Sequence, residues 1–209
     1  MTLSPDFNFH LREIFTSLFH IDEKERADRL FESELVTRYS EEHRFYHTLQ
    51  HIKDCIFSMQ SLPEVAFNVK AVTMAIFFHD IVYDSKSKVN ELNSANLMSE
   101  LLSQFSFGDD FIKTVYNLIL ATQHPSKTTD PDSLILLDVD LLILASDEDT
   151  FIDYNNSIKK EFSWVPDDIF ETERNKFLKS MLNEDEIFKT RYFSHLNQTA
   201  KNNLWSVTK

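Results

Sequence analysis

Residues 69–80 read VKAVTMAIFFHD. After Lys70 the run carries no charge until His79 and Asp80, and it contains neither glycine nor proline. It reads as the end of a buried helix that begins near Pro63. An imidazole and a carboxylate stand side by side at its terminus, where both can turn toward one point. Buried helices rarely carry such groups unless something binds them. The plainer alternative is a His-Asp helix terminus with no ligand.

Two other segments repeat the pattern. YHTLQHI (46–52) holds His47 and His51, and LLDVDLLIL (136–144) holds Asp138 and Asp140 in an apolar run. A mixed nitrogen and oxygen donor set suits a divalent transition metal, since imidazole prefers borderline ions and carboxylate accepts harder ones. His47 and His51 are four residues apart and share a helix face. The zincin motif needs Glu directly after its first His, and position 48 is Thr, so that reading fails. We read His47 as a ligand and His51 as a pocket residue. An unpaired carboxylate among leucines would be costly. Asp138 and Asp140 point apart on a helix, so one can face an ion while the other caps the helix or holds a neighbouring His.

Composition sets the fold class. The chain has 209 residues, one glycine (Gly108) and five prolines. Hairpins, sandwiches and barrels consume far more turn formers, so the expectation is all-α, and phosphate loops rich in glycine are excluded. The formal net charge of −13 opposes nucleic acid and anionic membrane, and no long basic run offsets it. A single cysteine, Cys55, forms no internal disulfide and suits a reducing cytoplasm. The first residues lack the basic and apolar regions of a signal peptide, and no apolar run approaches a membrane span, so the expected location is cytoplasmic. A homodimer is the base-rate expectation.

Along the chain, helices are expected over 8–19, 22–38 with Asp22 as N-cap, 47–61, 63–79, 90–105 ended by Gly108, 109–123 closed by Pro125, and 134–145. Further helices run from Asp147 to Phe162 and from Pro166 to Leu182, with one or two beyond. SKTTDPDS (126–133) reads as the clearest loop.

His47, then His79-Asp80, then Asp140 resembles the H…HD…D signature of the HD-domain superfamily of metal-dependent phosphohydrolases. RFYHTLQHI, FFHDIVYD, NELNSA, ATQH and LLDVDLLIL look like a bacterial subfamily of predicted HD-type metal-dependent hydrolases, over roughly residues 36–205. The resemblance implies a single HD-like helical domain over 1–209, a bundle of about eight to ten helices with its motifs in 40–145 and its terminal helices packed on them. It implies His47, His79, Asp80 and Asp140 as ligands of one divalent ion: Mn, Fe, Mg, Zn, Ni or Co. Asp140 is preferred to Asp138 by similarity to the family's Ala-Asp-Arg-Leu segment, here Val139-Asp140-Leu141-Leu142, although Leu141 stands where the family has Arg. Dinuclear variants carry more histidines between the HD pair and the last Asp. Only His124 lies there, which implies a mononuclear site with His124 lining the pocket, the alternative being His124 on a second ion.

The activity implied is hydrolysis of a nucleotide or another small phosphate ester by water activated on the ion. Asp80, and Glu91 in NELNSA, are the candidate catalytic groups. Arg44, His51, Asp84, Lys86, His124 and Asp138 are the candidate substrate pocket, with Arg44 and Lys86 placed to meet a phosphate. The alternative is a non-catalytic sensor module of the same fold that binds a metal or ligand.

Overall fold

The helix read from VKAVTMAIFF sits at the centre of the structure. The computed structural model describes residues 5–62, 68–123 and 128–208. The expectations at Pro63, His124 and Pro125 lie outside them. Among the described residues every regular element is helical. Helix α1 is Pro5–Ser17. A 3-10 turn, Ile21–Glu23, leads into α2, a continuous run over 24–39 made of Lys24–Leu30, a π-helical Phe31–Val36 and Thr37–Tyr39. Then follow α3 (Leu49–Gln60), α4 (Val69–Phe78), α5 (Asn90–Leu102), α6 (Asp109–Ala121) and α7 (Pro131–Asp140). A 3-10 turn, Leu142–Ala145, precedes α8 (Glu148–Glu161) and α9 (Asp167–Leu182), and another, Ser194–Leu196, precedes α10 (Asn197–Val207).

Helix α4 is buried all round from Ala71 to Phe78, and α3, α5, α6 and α7 pack about it. That placement explains its composition, since no side of it meets water. The remaining helices extend the same domain: α1 packs on α2, and α8 and α10 cover the Leu142–Ala145 turn. Aromatic rings fill one half of the core. Phe15 lies 5.0 Å from Phe19, 5.6 Å from Phe31 and 5.1 Å from Phe77, ring centre to ring centre. Among the described residues, no helix is long and apolar enough to cross a membrane.

Side-chain caps fix several helix starts. The side chains of Thr48, Asn68, Asp130 and Asp147 accept from Gln50, Ala71, Ser133 and Thr150 N–H groups. Three local expectations are corrected. Asp22 is inside the 3-10 turn and caps nothing, because the chain begins to coil before it. Gly108 does not end α5, which stops at Leu102. It is the extended N-cap of α6 (φ −69°, ψ 152°), so it needs no special glycine conformation. Pro131, Asp132 and Ser133 are helical, because Asp130 caps α7 and proline suits its first position.

Phe15 touches α2 and α4 and has no exposed surface. Phe15→Ala is expected to lower the unfolding free energy by about 3–5 kcal/mol. Urea unfolding followed by circular dichroism checks it, as a lower midpoint at unchanged slope.

Candidate metal centre

The C-terminus of α4 leaves carbonyls without helical partners, and side chains meet two of them. The Tyr39 hydroxyl donates to Phe77 O (3.0 Å), and His79 Nδ1–H donates to Ile76 O (2.9 Å). Arg44, with a fully buried side chain, donates to Asp80 O (2.7 Å), Ile81 O (3.1 Å) and His47 O (3.2 Å), and to the Glu41 carboxylate (2.9 Å). Its charge also faces the negative end of the α4 dipole. One guanidinium thus ties the His47 loop to the His79-Asp80 turn.

His47 precedes α3 rather than belonging to it. It is aimed by Glu161, the last residue of α8. Glu161 Oε1 accepts from the N–H groups of Phe45 (2.8 Å), Tyr46 (2.7 Å) and His47 (3.0 Å). Its Oε2 accepts from His47 Nδ1–H (2.7 Å) and the Tyr83 hydroxyl (2.8 Å). The Tyr83 ring stacks on the His47 imidazole at 4.1 Å. Burial opposes the Glu161 charge, but the hydrogen bond and charge of His47 and the backbone donors outweigh it and hold the carboxyl at about 2.

With Nδ1–H spent on Glu161 or Ile76, neutral His47 and His79 turn bare Nε2 lone pairs to the same point. His51 Nε2 lies 3.2 Å from His79 Nε2 and 3.0 Å from Asp140 Oδ1. His79 Nε2 lies 3.4 Å from Asp140 Oδ1 and 3.1 Å from Asp80 Oδ2. Asp80 Oδ2 is 3.8 Å from His51 Nε2 and 4.0 Å from His47 Nε2. Imidazole nitrogens and carboxylates packed this closely are balanced either by protons on the imidazoles or by a cation among them. Spacings near 3 Å are those of ligands sharing an ion at about 2.0–2.2 Å. His51, His79 and Asp140 form a group that can hold a metal ion, with Asp80 and His47 bordering it.

The field agrees. Burial disfavours the charged forms of His47 and His79, yet Asp80 beside both raises their pKa values. Burial would likewise raise the Asp80 and Asp140 carboxyls, but His79 and His47 around the first, and His51 and His79 around the second, hold both below the carboxylate range. A cavity of about 300 Å³ opens beside the group, lined in part by His51 and Asp140.

The other sequence-read residues are placed as follows. His51, read as a pocket residue, lies inside the donor group. Arg44 is corrected: its donors are taken by carbonyls and Glu41, so it positions the site and offers nothing to a phosphate. Asp138 is also corrected: it is fully buried and accepts from Lys189 N (2.8 Å), Thr190 N (2.8 Å) and Thr190 Oγ1 (2.5 Å), anchoring the segment before α10 to α7. Asp84 and Lys86 line a separate groove with Trp164, and Lys86 lies 5.5 Å over the Trp164 ring. Among the described residues Glu91 shows no hydrogen bond or ion pair with the donor group. Its neighbours Asn90 and Ser94 bracket the loop after Asp80, through Asp84 and Val82. Glu161 was missed. Its signal is an acidic residue on the last position of a helix, against the dipole. Compared with family models, with curated proteins and with solved structures, the chain matches none.

Glu161→Gln keeps the size of the side chain but removes the charge that orients His47. It is expected to weaken Zn or Mn binding about 10–100-fold in a folded protein, measured by chelator competition. Protons compete with the ion for the same atoms. In the metal-free protein the raised His47 and His79 contribute stability that is complete below their ordinary pKa of 6.5 and is lost as pH rises through the raised values. Lowered Glu161 contributes above its ordinary 4.5, and this is lost as pH falls toward about 2. Melting of metal-free protein is therefore expected to fall between about pH 6 and about pH 8 while metal affinity rises. Thermal scans and competition titrations at both pH values check the pair.

Proposed function

We propose that the chain is a metal-dependent phosphohydrolase of the HD type, acting on a nucleotide or another small phosphate ester. The observation that carries this reading is the meeting of His47, His79, Asp80 and Asp140, in the order of the H…HD…D signature, at one partly buried point with His51 among them. These five side chains would hold the ion. A divalent ion supplies Lewis acidity, lowering the pKa of a water and drawing charge from a phosphoryl oxygen.

The protein groups divide the remaining work. His79 and His47 keep their Nε2 lone pairs inward because Ile76 O and Glu161 occupy their Nδ1–H groups. Asp80 presents Oδ2 to the imidazoles, and its other oxygen, Oδ1, is the atom we assign to take the proton from the attacking water. Asp140 fixes His51 and His79 together. Arg44 and Glu161 position the two loops and touch no substrate.

The test is a phosphoester panel run with Mn, Mg, Co and Ni on the wild type and on Asp80→Ala. Turnover dependent on an added ion is expected, falling about 10²–10⁴-fold in the variant at unchanged circular dichroism. Absence of turnover with every ion, or a folded variant as active as the wild type, overturns the assignment. Independently, ion at a hundred times its dissociation constant should stabilise the wild type by about 2.7 kcal/mol, and EDTA followed by desalting should reverse the gain.

A further inference from the structure

The cavity beside the donor group has a chemistry of its own. It has a volume of about 300 Å³ and reaches the centre through His51 and Asp140, which is enough for a small organic group. Among the described residues no lysine or arginine lines it. Its polar lining combines acceptors with the hydroxyls of Tyr46 and Ser58. The Asp54 carboxylate takes one hydrogen bond, from Gln50 Nε2 (2.7 Å), and keeps its other lone pairs. The Ser146 hydroxyl donates to Ile143 O (2.9 Å) and the Thr150 hydroxyl to Asp147 (2.9 Å), so both present oxygen lone pairs to a ligand. Tyr46 supplies an aromatic wall, held by Tyr154 at 4.6 Å. Lys53, next to Asp54, lies 5.4 Å over the Phe57 ring and outside the lining, but its charge and that of His51 act on the Asp54 carboxyl.

Charge decides what fits. Two carboxylates at the donor group balance one divalent ion, and Asp54 then leaves the pocket negative. Arg44, the buried cation nearest the centre, is committed to carbonyls and Glu41. A phosphate on the ion adds negative charge that no lysine or arginine of the lining offsets. A second anionic group in the cavity would face the Asp54 carboxylate. An ammonium group would meet a carboxylate, hydroxyl acceptors and an aromatic ring, which are the surroundings that recognise amines. We infer that the cavity holds a primary or quaternary amine, so that, on the phosphohydrolase reading above, the substrate is a small phosphoester of an amino alcohol and not a polyphosphate.

The experiment uses three phosphoesters with similar two-carbon tails: O-phosphoethanolamine, ethyl phosphate and 2-phosphoglycolate. Their affinities for the full chain loaded with Zn are measured by calorimetry. The expected order is amine, then neutral, then carboxylate, each step about tenfold. Asp54→Asn should shrink the preference for the amine over ethyl phosphate to less than about threefold at unchanged Zn affinity. Equal affinities, tighter binding of phosphoglycolate, or an Asp54→Asn protein that keeps the full preference overturns the inference. If the Zn-loaded chain binds none of the three, the phosphohydrolase reading fails separately. The cavity is then judged with ethylamine against ethanol, from methyl resonances of Ile143, Leu142 and Thr150. Shifts with ethylamine alone uphold the amine site, and equal shifts or none remove it.

Discussion

A buried guanidinium has to find acceptors for its donors, and at Arg44 the acceptors are the carbonyls of His47, Asp80 and Ile81. Those carbonyls belong to two loops, which the stacking of Tyr83 on His47 and their shared bond to Glu161 also join. Once they are joined, the imidazole of His47 and the carboxylate of Asp80 face each other across the same space that His79 reaches from the end of α4. Glu161 is the complementary anion. It gathers three successive N–H groups of the His47 loop and then aims the imidazole itself. Neither charge is inside the donor group, yet the direction of its lone pairs depends on both. Removing either partner would leave buried backbone groups unpaired, which costs more than the loss of one hydrogen bond.

Much of the fold was legible because it rests on local chemistry. The near absence of glycine and the few prolines pointed away from sheets with tight turns, and the uncharged run from Ala71 to Phe78 read as a buried helix. Asp147 and Pro166 marked their helix starts correctly. The errors were made where two local solutions differ little. Asp22 has the chemistry of a cap, but the chain coils into a 3-10 turn before it. Gly108 has the chemistry of a stop, but in its extended conformation it opens the next helix. The π-helical stretch at Phe31–Val36 left no mark in the sequence, since an extra residue in a turn changes no apolar spacing by more than one position.

The site was legible in proportion to how much of it is sequential. His79 and Asp80 are neighbours, and both flank an apolar run, so their oddity shows in a single line of sequence. Arg44 has the composition of a phosphate ligand, and only its burial among carbonyls assigns it otherwise. Asp138 and Asp140 look equivalent in the chain, but one turns to Thr190 and the other to His51. Glu161 lies 114 residues from the loop that it organises. No spacing rule spans that distance, and its only trace is a carboxylate at the wrong end of a helix dipole.

That separation gives the centre an order of assembly during synthesis. When the ribosome has delivered the chain through Asp140, the residues that face one another across the donor group have all been made. Glu161 has not, and neither have Lys189 and Thr190, which hold Asp138. A nascent chain at that stage carries His47 with nothing to set its tautomer, and α7 with its buried carboxylate unanswered. An ion captured then would meet flexible ligands, and it would be sorted by raw affinity rather than by fit. The last third of the chain therefore supplies the groups that close the site only after translation has passed the residues that define it.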